Sequence, residues 1–303
     1  MFLSASNKGP GWQKDRILAL LGHNVIKAAG RRFPEARPGD MALSLILRRG
    51  KDPLGYSHRG DRLGYPASLV KLFFMVATEA WLAKGRLTPS RELREAVAAM
   101  IAWSSNDASS LIVDLLTRTT SGPALPPAPL ARWLARRQIL NRYFAGWHRP
   151  EFAGINLAQK TWNEAPYGRE HQSCFAVPRN RNRLSTDAVA RLLLALCEGE
   201  AASPRQSRAM LRLLARFPAK VDRKDPWNQV TGFLGEGLPP DARVWSKAGW
   251  SSTTRHDSAI VELADGTRFI LVVMTYGAAL AANRRLLPFI ARRVASGVQR
   301  LRR

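Results

Sequence analysis

Two periodicities alternate along the chain. In Trp12–Arg31, apolar residues recur at helical spacing (Ile17, Leu18, Leu21, Val25, Ile26), which predicts an amphipathic helix with one buried face. A stretch containing Gly and Pro follows, and MALSLILRR at Met41–Arg49 then reads as a strand. Gly50–Pro53 breaks it, and Leu54–Gly64 predicts a second strand before Pro66. From Ser68 to about Phe217 the pattern is helical. Helices are predicted over Ser68–Lys84, Arg91–Trp103, Ala108–Thr117, Pro129–Ile139, Thr186–Glu198 and Pro204–Phe217, with Ser185 or Thr186 capping the fifth. Strand character returns at Arg243–Lys247, Ser258–Ala264 and Thr267–Thr275. The last two flank Asp265-Gly266, which reads as a two-residue hairpin turn. A helix from about Ala279 to Arg300 closes the pattern, and Thr119–Leu184, rich in Pro, Gly and Asn, is the least regular stretch.

Strands at both ends of the chain with helices between them predict an α+β fold. Its antiparallel five-stranded sheet is flanked by helices and joined by an all-helical subdomain. The predicted division is residues 1–66 with 218–303 for the sheet-bearing part, and 67–217 for the helical part. At 303 residues with 46% hydrophobic and 23% charged composition, the chain can bury a large core and does not read as disordered.

Charge adds a possible class of partner but no motif. Lys and Arg number 47 against 23 Asp and Glu, a formal +24 that attracts anions such as nucleic acid or acidic surfaces. The arginines are spread widely, with concentrations at Arg132–Arg142, Arg179–Arg183 and Arg284–Arg303. No nucleic-acid motif accompanies them, so the expectation is a solvated basic surface with weak attraction for anionic partners. No apolar run is long enough for a transmembrane helix, and the N-terminus lacks the pattern of a secretory signal. The expected location is cytoplasmic, or exported by a route the sequence does not display. Cys174 and Cys197 imply no disulfide by spacing, and Cys197 reads as a small core residue. The five histidines lack metal-binding spacing, so neither a metal nor a cofactor is expected.

Candidate chemistry begins with YPASLVKLFF, residues 65–74, where Lys71 interrupts an apolar run. Ser68 and Lys71 are three apart, hence on one face of a helix. A serine hydroxyl needs a base, and a lysine among apolar neighbours loses solvation and becomes one. Alternatively, Lys71 lies at a helix edge and reaches water. Two further stretches favour chemistry. Ser104-Ser105-Asn106 offers a hydroxyl to relay a proton and a carboxamide to hold an amide. Lys247-Ala248-Gly249 sets a cation at a strand end, with small residues that let a substrate lie along the backbone.

Ordered S-x-x-K, S-x-N and K-x-G motifs make the chain resemble the penicillin-recognising serine hydrolases, most closely the class A β-lactamases. The flanks RGDRLGYPASLVKLFFM, RLSTDAVARLLLAL and TRHDSAIVELADGTRFILVVMTYG agree, over about Ala42–Arg293. The resemblance implies a β-lactamase/transpeptidase-like fold whose helical part includes an Ω-loop-like region. It also implies a small-molecule substrate bearing a carboxylate. Ser68 would be the acylated nucleophile, Lys71 its base, and Ser104 a proton shuttle aided by Lys247. Asn106 would bind a side-chain amide, and Ala248, Gly249 and Trp250 would line the substrate strand. The N–H groups of Ser68 and Trp250 would form the oxyanion hole. Arg255 matches the family's carboxylate-binding arginine, or is an ordinary surface arginine.

Departures from the family pattern are equally specific. Ser105 replaces the aspartate of S-D-N, Ala248 replaces the threonine of K-T-G, and Trp250 is bulky where a small residue is usual and could reshape the pocket wall. For the Ω-loop glutamate that activates water in class A enzymes, Glu164 follows Trp162 with an offset of one. Glu170 and Glu151 are the other candidates. The implied function is a serine hydrolase acting through an acyl-enzyme on a β-lactam or a related amide or ester. The alternatives are a non-lactamase amidase or esterase of the same fold, and a penicillin-binding sensor that acylates without turnover.

Overall fold

The computed structural model describes residues 11–49, 52–176, 180–225 and 227–301. Gly50 and Lys51 of the predicted strand break, Arg179 of the second basic cluster, and Arg302 and Arg303 of the third lie outside them.

A sheet divides the molecule. Its strands are β1 (Gln13–Lys14), β2 (Met41–Arg49), β3 (Asp52–His58), β4 (Ala215–Arg216), β5 (Arg243–Ser251), β6 (Thr254–Glu262) and β7 (Arg268–Tyr276), in the order β1-β3-β2-β7-β6-β5-β4. The five long strands form the expected antiparallel sheet. The two-residue β1 and β4 extend its edges, β1 parallel to β3 and β4 antiparallel to β5. The hairpin between β6 and β7 is wider than Asp265-Gly266 alone predicts. Gly266 N donates to Leu263 O and Leu263 N to Thr267 O, with Gly266 left-handed at φ 80, so a β-turn is followed by a glycine bulge.

The helices are α1 (Arg16–Arg32), α2 (Val70–Ala83), α3 (Arg91–Ala102), α4 (Asn106–Thr117), α5 (Pro127–Arg137), α6 (Ile139–Ala145), α7 (Gly168–His171), α8 (Thr186–Glu198), α9 (Pro204–Leu214), α10 (Ala278–Ala282) and α11 (Leu286–Arg300). Side chains cap several of them where the sequence offers a short oxygen. Asp15 accepts from Leu18 N at 2.7 Å and Ser185 from Ala188 N at 3.1 Å. The single closing helix expected from Ala279 is two, because Asn283 Oδ1 accepts from the N–H groups of Arg285 and Leu286 and starts α11 afresh.

Strand alternation builds two cores. Ile46, Ile270, Val272 and Met274 face α2 and α8, whereas Leu43, Leu45, Leu271 and Val273 face α1 and α11. All eight are buried. Fully burying such a side chain contributes about 1.5–3 kcal/mol, so a central strand buried on both faces contributes to both cores at once. On the helical side, Phe73 meets Phe144 edge-on at 4.9 Å. Cys174 and Cys197 are free thiols. Among the described residues no helix is long and apolar enough to cross a membrane.

The irregular region is held by a buried charge cluster. Arg137, fully buried on α5, pairs with Glu170 and Asp114, and Lys160 Nζ lies 2.6 Å from Asp114 Oδ2. Breaking such a cluster costs about 3–5 kcal/mol because it strands a buried charge. It ties Lys160 and the following Trp162–Tyr167 segment to α4 and α5.

Candidate active site

Ser68 sits on a single 3₁₀ turn, Ala67–Leu69, that feeds α2. The residue before it, Ala67, is buried with φ 45, a left-handed conformation that costs an L-residue about 1–3 kcal/mol and persists only when its surroundings enforce it. Two contacts enforce it. Buried His256 accepts the Thr275 N–H on Nδ1 at 3.0 Å, which leaves the proton on Nε2, and Nε2 donates to Tyr65 O at 2.9 Å. Burial pushes the His256 pKa down to about 4, so the ring is neutral. From the other side Gly249 presses β5 against the turn: a Cβ there would stand 2.8 Å from Ser68 N and 3.0 Å from Leu69 N.

Lys71, one turn further along α2, is fully buried. Its Nζ donates to Ser104 O and, at 2.7 Å, to Asn106 Oδ1, and lies 3.3 Å from Ser104 Oγ. Lys247 is equally buried. Its Nζ contacts Gln229 Oε1 and Ala248 O, each at 2.7 Å, and Ser104 Oγ at 2.9 Å. Among the described residues neither lysine is ion-paired with a carboxylate. Desolvation therefore pushes the Lys71 pKa down to about 7. Lys247 falls well below its ordinary value through burial first and the charges of Lys71 and Arg216 second.

The hydrogen-bond roles follow from which atoms can only accept. A neutral amine has two N–H donors and one lone pair. On Lys71 the donors are taken by Ser104 O and Asn106 Oδ1; on Lys247, by Gln229 Oε1 and Ala248 O. Each lone pair is then left for a hydroxyl. The Ser104 hydroxyl lies between the two amines, and Ser68 lies one helical turn from Lys71.

Ser104 reaches that point because its backbone is left-handed, φ 56, between α3 and α4. Ser105 caps α4 by accepting from Ala108 N at 3.1 Å, a role that serine fills as well as aspartate. Asn106 is oriented by its amide nitrogen, which donates to Trp162 O at 2.9 Å and Asn163 Oδ1 at 2.8 Å. The strand edge beside Ser68 is also open. Ala248 N points off the sheet to Gln229 Oε1 at 3.1 Å, and β4 covers β5 only at Val244 and Trp245. Two residues on, Trp250 N shares that outward edge.

Several predicted residues lie elsewhere. Glu164 is exposed and makes no hydrogen bond or ion pair with a described residue; the residue following Trp162 that meets Asn106 is Asn163. The offset of one in the sequence thus sets a carboxamide, and not the Glu164 carboxylate, against Asn106. Glu170 is committed to Arg137, and Glu151 Oε1 accepts from Gly11 N at 2.6 Å. Neither makes a hydrogen bond to Lys71 or Asn106.

Pleating separates Lys247 from its neighbours. Ala248 and Trp250 face the α1 and α11 side, Ala248 fully buried and Trp250 packed 5.5 Å from Phe233. The indole therefore does not form the cleft wall, and Ala248 offers main-chain atoms only. Arg255, buried on that same face, donates to Ala281 O at 2.8 Å and stacks over Phe233 at 4.8 Å, so it is not a surface arginine.

The sequence reading missed Gln229, Asn163 and His256. Gln229 Nε2 donates to Ile101 O and Ala102 O at 2.9 and 2.8 Å, tying Lys247 to the segment that presents Ser104. No periodicity or motif marks a lone glutamine. For Asn163 the offset in the Trp-Glu pair was the available sign.

Comparison with known proteins gives a family and a fold. A model described as the Beta-lactamase enzyme family matches residues 86–297. No curated protein matches the chain. Among solved structures, PBP-A is 18% identical, with 96% of this chain and 99% of that chain covered and a TM-score of 0.64. A PBP-A variant in an acyl-enzyme complex with penicillin G gives the same values. A β-lactamase from Sphaerobacter thermophilus DSM 20745 is 20% identical, covering 92% and 97% of the two chains, with a TM-score of 0.62. At such identities the structural likeness speaks for the fold alone.

Proposed function

Because the chain belongs to the β-lactamase enzyme family, we propose that it is a serine hydrolase working through an acyl-enzyme on a β-lactam or a related amide or ester. The observation that carries this reading is the pair of buried amines around Ser104, with the Lys71 pKa near 7 and no carboxylate partner for either. A base matched to neutral pH is what a serine nucleophile requires.

In this reading Ser68 Oγ attacks the carbonyl carbon while its proton passes to the Lys71 lone pair. The carbonyl oxygen takes the negative charge and is held by the N–H groups of Ser68 and Trp250. The C–N or C–O bond then breaks, and Ser104 hands a proton to the leaving atom, replenished through the amine network. The proton that Lys71 takes from Ser68 creates a buried cation with no anion of its own, which favours a substrate carrying a carboxylate. Arg255 is not assigned to that carboxylate, since its Nε is already bonded to Ala281 O.

Release of the acyl group is the weak step. Asn163, a carboxamide, stands next to Asn106 and cannot take a proton from water as a carboxylate would. This favours a long-lived acyl-enzyme, closer to a penicillin-binding protein than to a fast β-lactamase. The decisive experiment is intact-mass spectrometry after exposure to a panel of β-lactams and activated esters. A stoichiometric adduct that persists for many minutes and is lost in Ser68→Ala is expected. An adduct that survives Ser68→Ala, or no adduct from any donor, refutes the reading.

A further inference from the structure

A cavity of about 640 Å³ opens on the helical side, walled by the C-terminal ends of α2, α4 and α5 and by α6. Its floor is the open side of Ala135 and Ile139, laid over Trp81 and Leu116 of the buried core, and its rim carries Arg86, Arg118, Arg136 and Arg142. Three of the guanidinium groups are held at the rim by specific contacts. Arg86 lies over the Trp81 ring at 5.3 Å, Arg136 Nη1 donates to Arg118 O at 3.4 Å, and Arg142 Nη2 donates to Ala135 O at 3.1 Å. Each keeps further N–H donors. Among the described residues, none of the four is ion-paired with a carboxylate.

Helix ends explain part of this arrangement and leave the rest. A helix C-terminus carries about half a negative charge, so the ends of α2, α4 and α5 together offset roughly one and a half of the four cations. Roughly two and a half positive charges remain around an apolar floor. Water serves the cations but not the floor, and a simple inorganic anion does the same. The occupant that satisfies both has an anionic head and an apolar body.

We propose that this cavity is a binding site for a small soluble amphiphilic anion, a carboxylate or phosphate on an acyl or aryl body, separate from the Ser68 cleft. Concavity decides between a free molecule and a membrane: pockets for single small ligands enclose about 300–1,000 Å³, whereas a bilayer needs a convex or flat face.

The test is isothermal titration calorimetry of the full chain with decyl phosphate below its micellar concentration, beside the double variant R118Q/R136Q. One molecule per chain is expected, bound at least about tenfold more weakly by the variant, whose guanidinium hydrogen bonds are gone. Decanol and inorganic phosphate should each bind at least about tenfold more weakly than decyl phosphate. An unchanged melting temperature in R118Q/R136Q shows that it folds; should it not, R86Q/R142Q takes its place. Undiminished binding by a folded variant overturns the proposal. So do equal binding of inorganic phosphate, the absence of any binding, and binding seen only with anionic phosphatidylglycerol vesicles.

Discussion

Replacing Lys71 by methionine separates the electrostatic burden of the site from its chemistry. The pKa of Lys71 falls from 10.5 to about 7 in the folded chain, chiefly because burial penalises the charged amine. A gap of that size corresponds to about 5 kcal/mol, at about 1.4 kcal/mol per pH unit. Between pH 7 and 10.5 the unfolded chain holds the proton and the folded chain does not, so wild-type stability rises with pH across that window. Below pH 7 both states hold it and the burden is fully present.

Methionine has no such burden. The stability advantage of Lys71→Met over wild type should therefore be greatest at pH 6 and shrink by about 2 kcal/mol between pH 7 and pH 9. Losing the bonds to Ser104 O and Asn106 Oδ1 subtracts about 1–3 kcal/mol each, but that offset does not depend on pH. Relief of Lys247, whose pKa Lys71 depresses, acts in the same direction as the main effect. Urea unfolding of both proteins at pH 6, 7, 8 and 9 measures the difference. A gap that stays constant, or widens as pH rises, would show that Lys71 is not held uncharged by burial.

Four other substitutions probe the Ser68 turn, the release of the acyl group and the buried charge cluster. Gly249→Ala places a Cβ within 2.8 Å of Ser68 N, and should slow adduct formation by about 10- to 100-fold in a timed mass assay, since small displacements of a nucleophile have large effects. An unchanged rate would mean that β5 does not set the Ser68 turn. Asn163→Glu should shorten the adduct lifetime by about 10-fold or more by supplying a base, whereas Glu164→Gln should leave it within about twofold. The reverse order would restore Glu164 as the water-activating group. Glu170→Ala should lower unfolding free energy by about 3 kcal/mol by leaving buried Arg137 and Lys160 to share the single carboxylate of Asp114, as measured by urea titration. A loss below about 1 kcal/mol would refute the assigned anchoring role.

Local pattern made much of the fold legible. Met41–Arg49 and Thr186–Glu198 occupy the predicted residues, because a continuous β-branched or apolar run and a capped 3.6-residue stripe report directly on burial. The end of β5 was misread at Lys247. Ala248 and Gly249 have little strand propensity of their own, and the segment is extended because each residue pairs with β6, from Ala248↔Asp257 to Ser251↔Thr254.

By itself the sequence determined the helical phase that sets Ser68 and Lys71 one turn apart and the order of the three motifs. It also determined the alternation of apolar residues that makes a two-faced sheet. Only the tertiary structure decided that Asn163 rather than Glu164 meets Asn106, that Gln229 and His256 brace the site, and that Ala248, Trp250 and Arg255 lie behind the strand. The physical reason is range. Helical phase and strand alternation act over a few residues and are written locally, whereas burial, hydrogen-bond partners and the charge state of an amine depend on groups that only folding brings within a few ångströms.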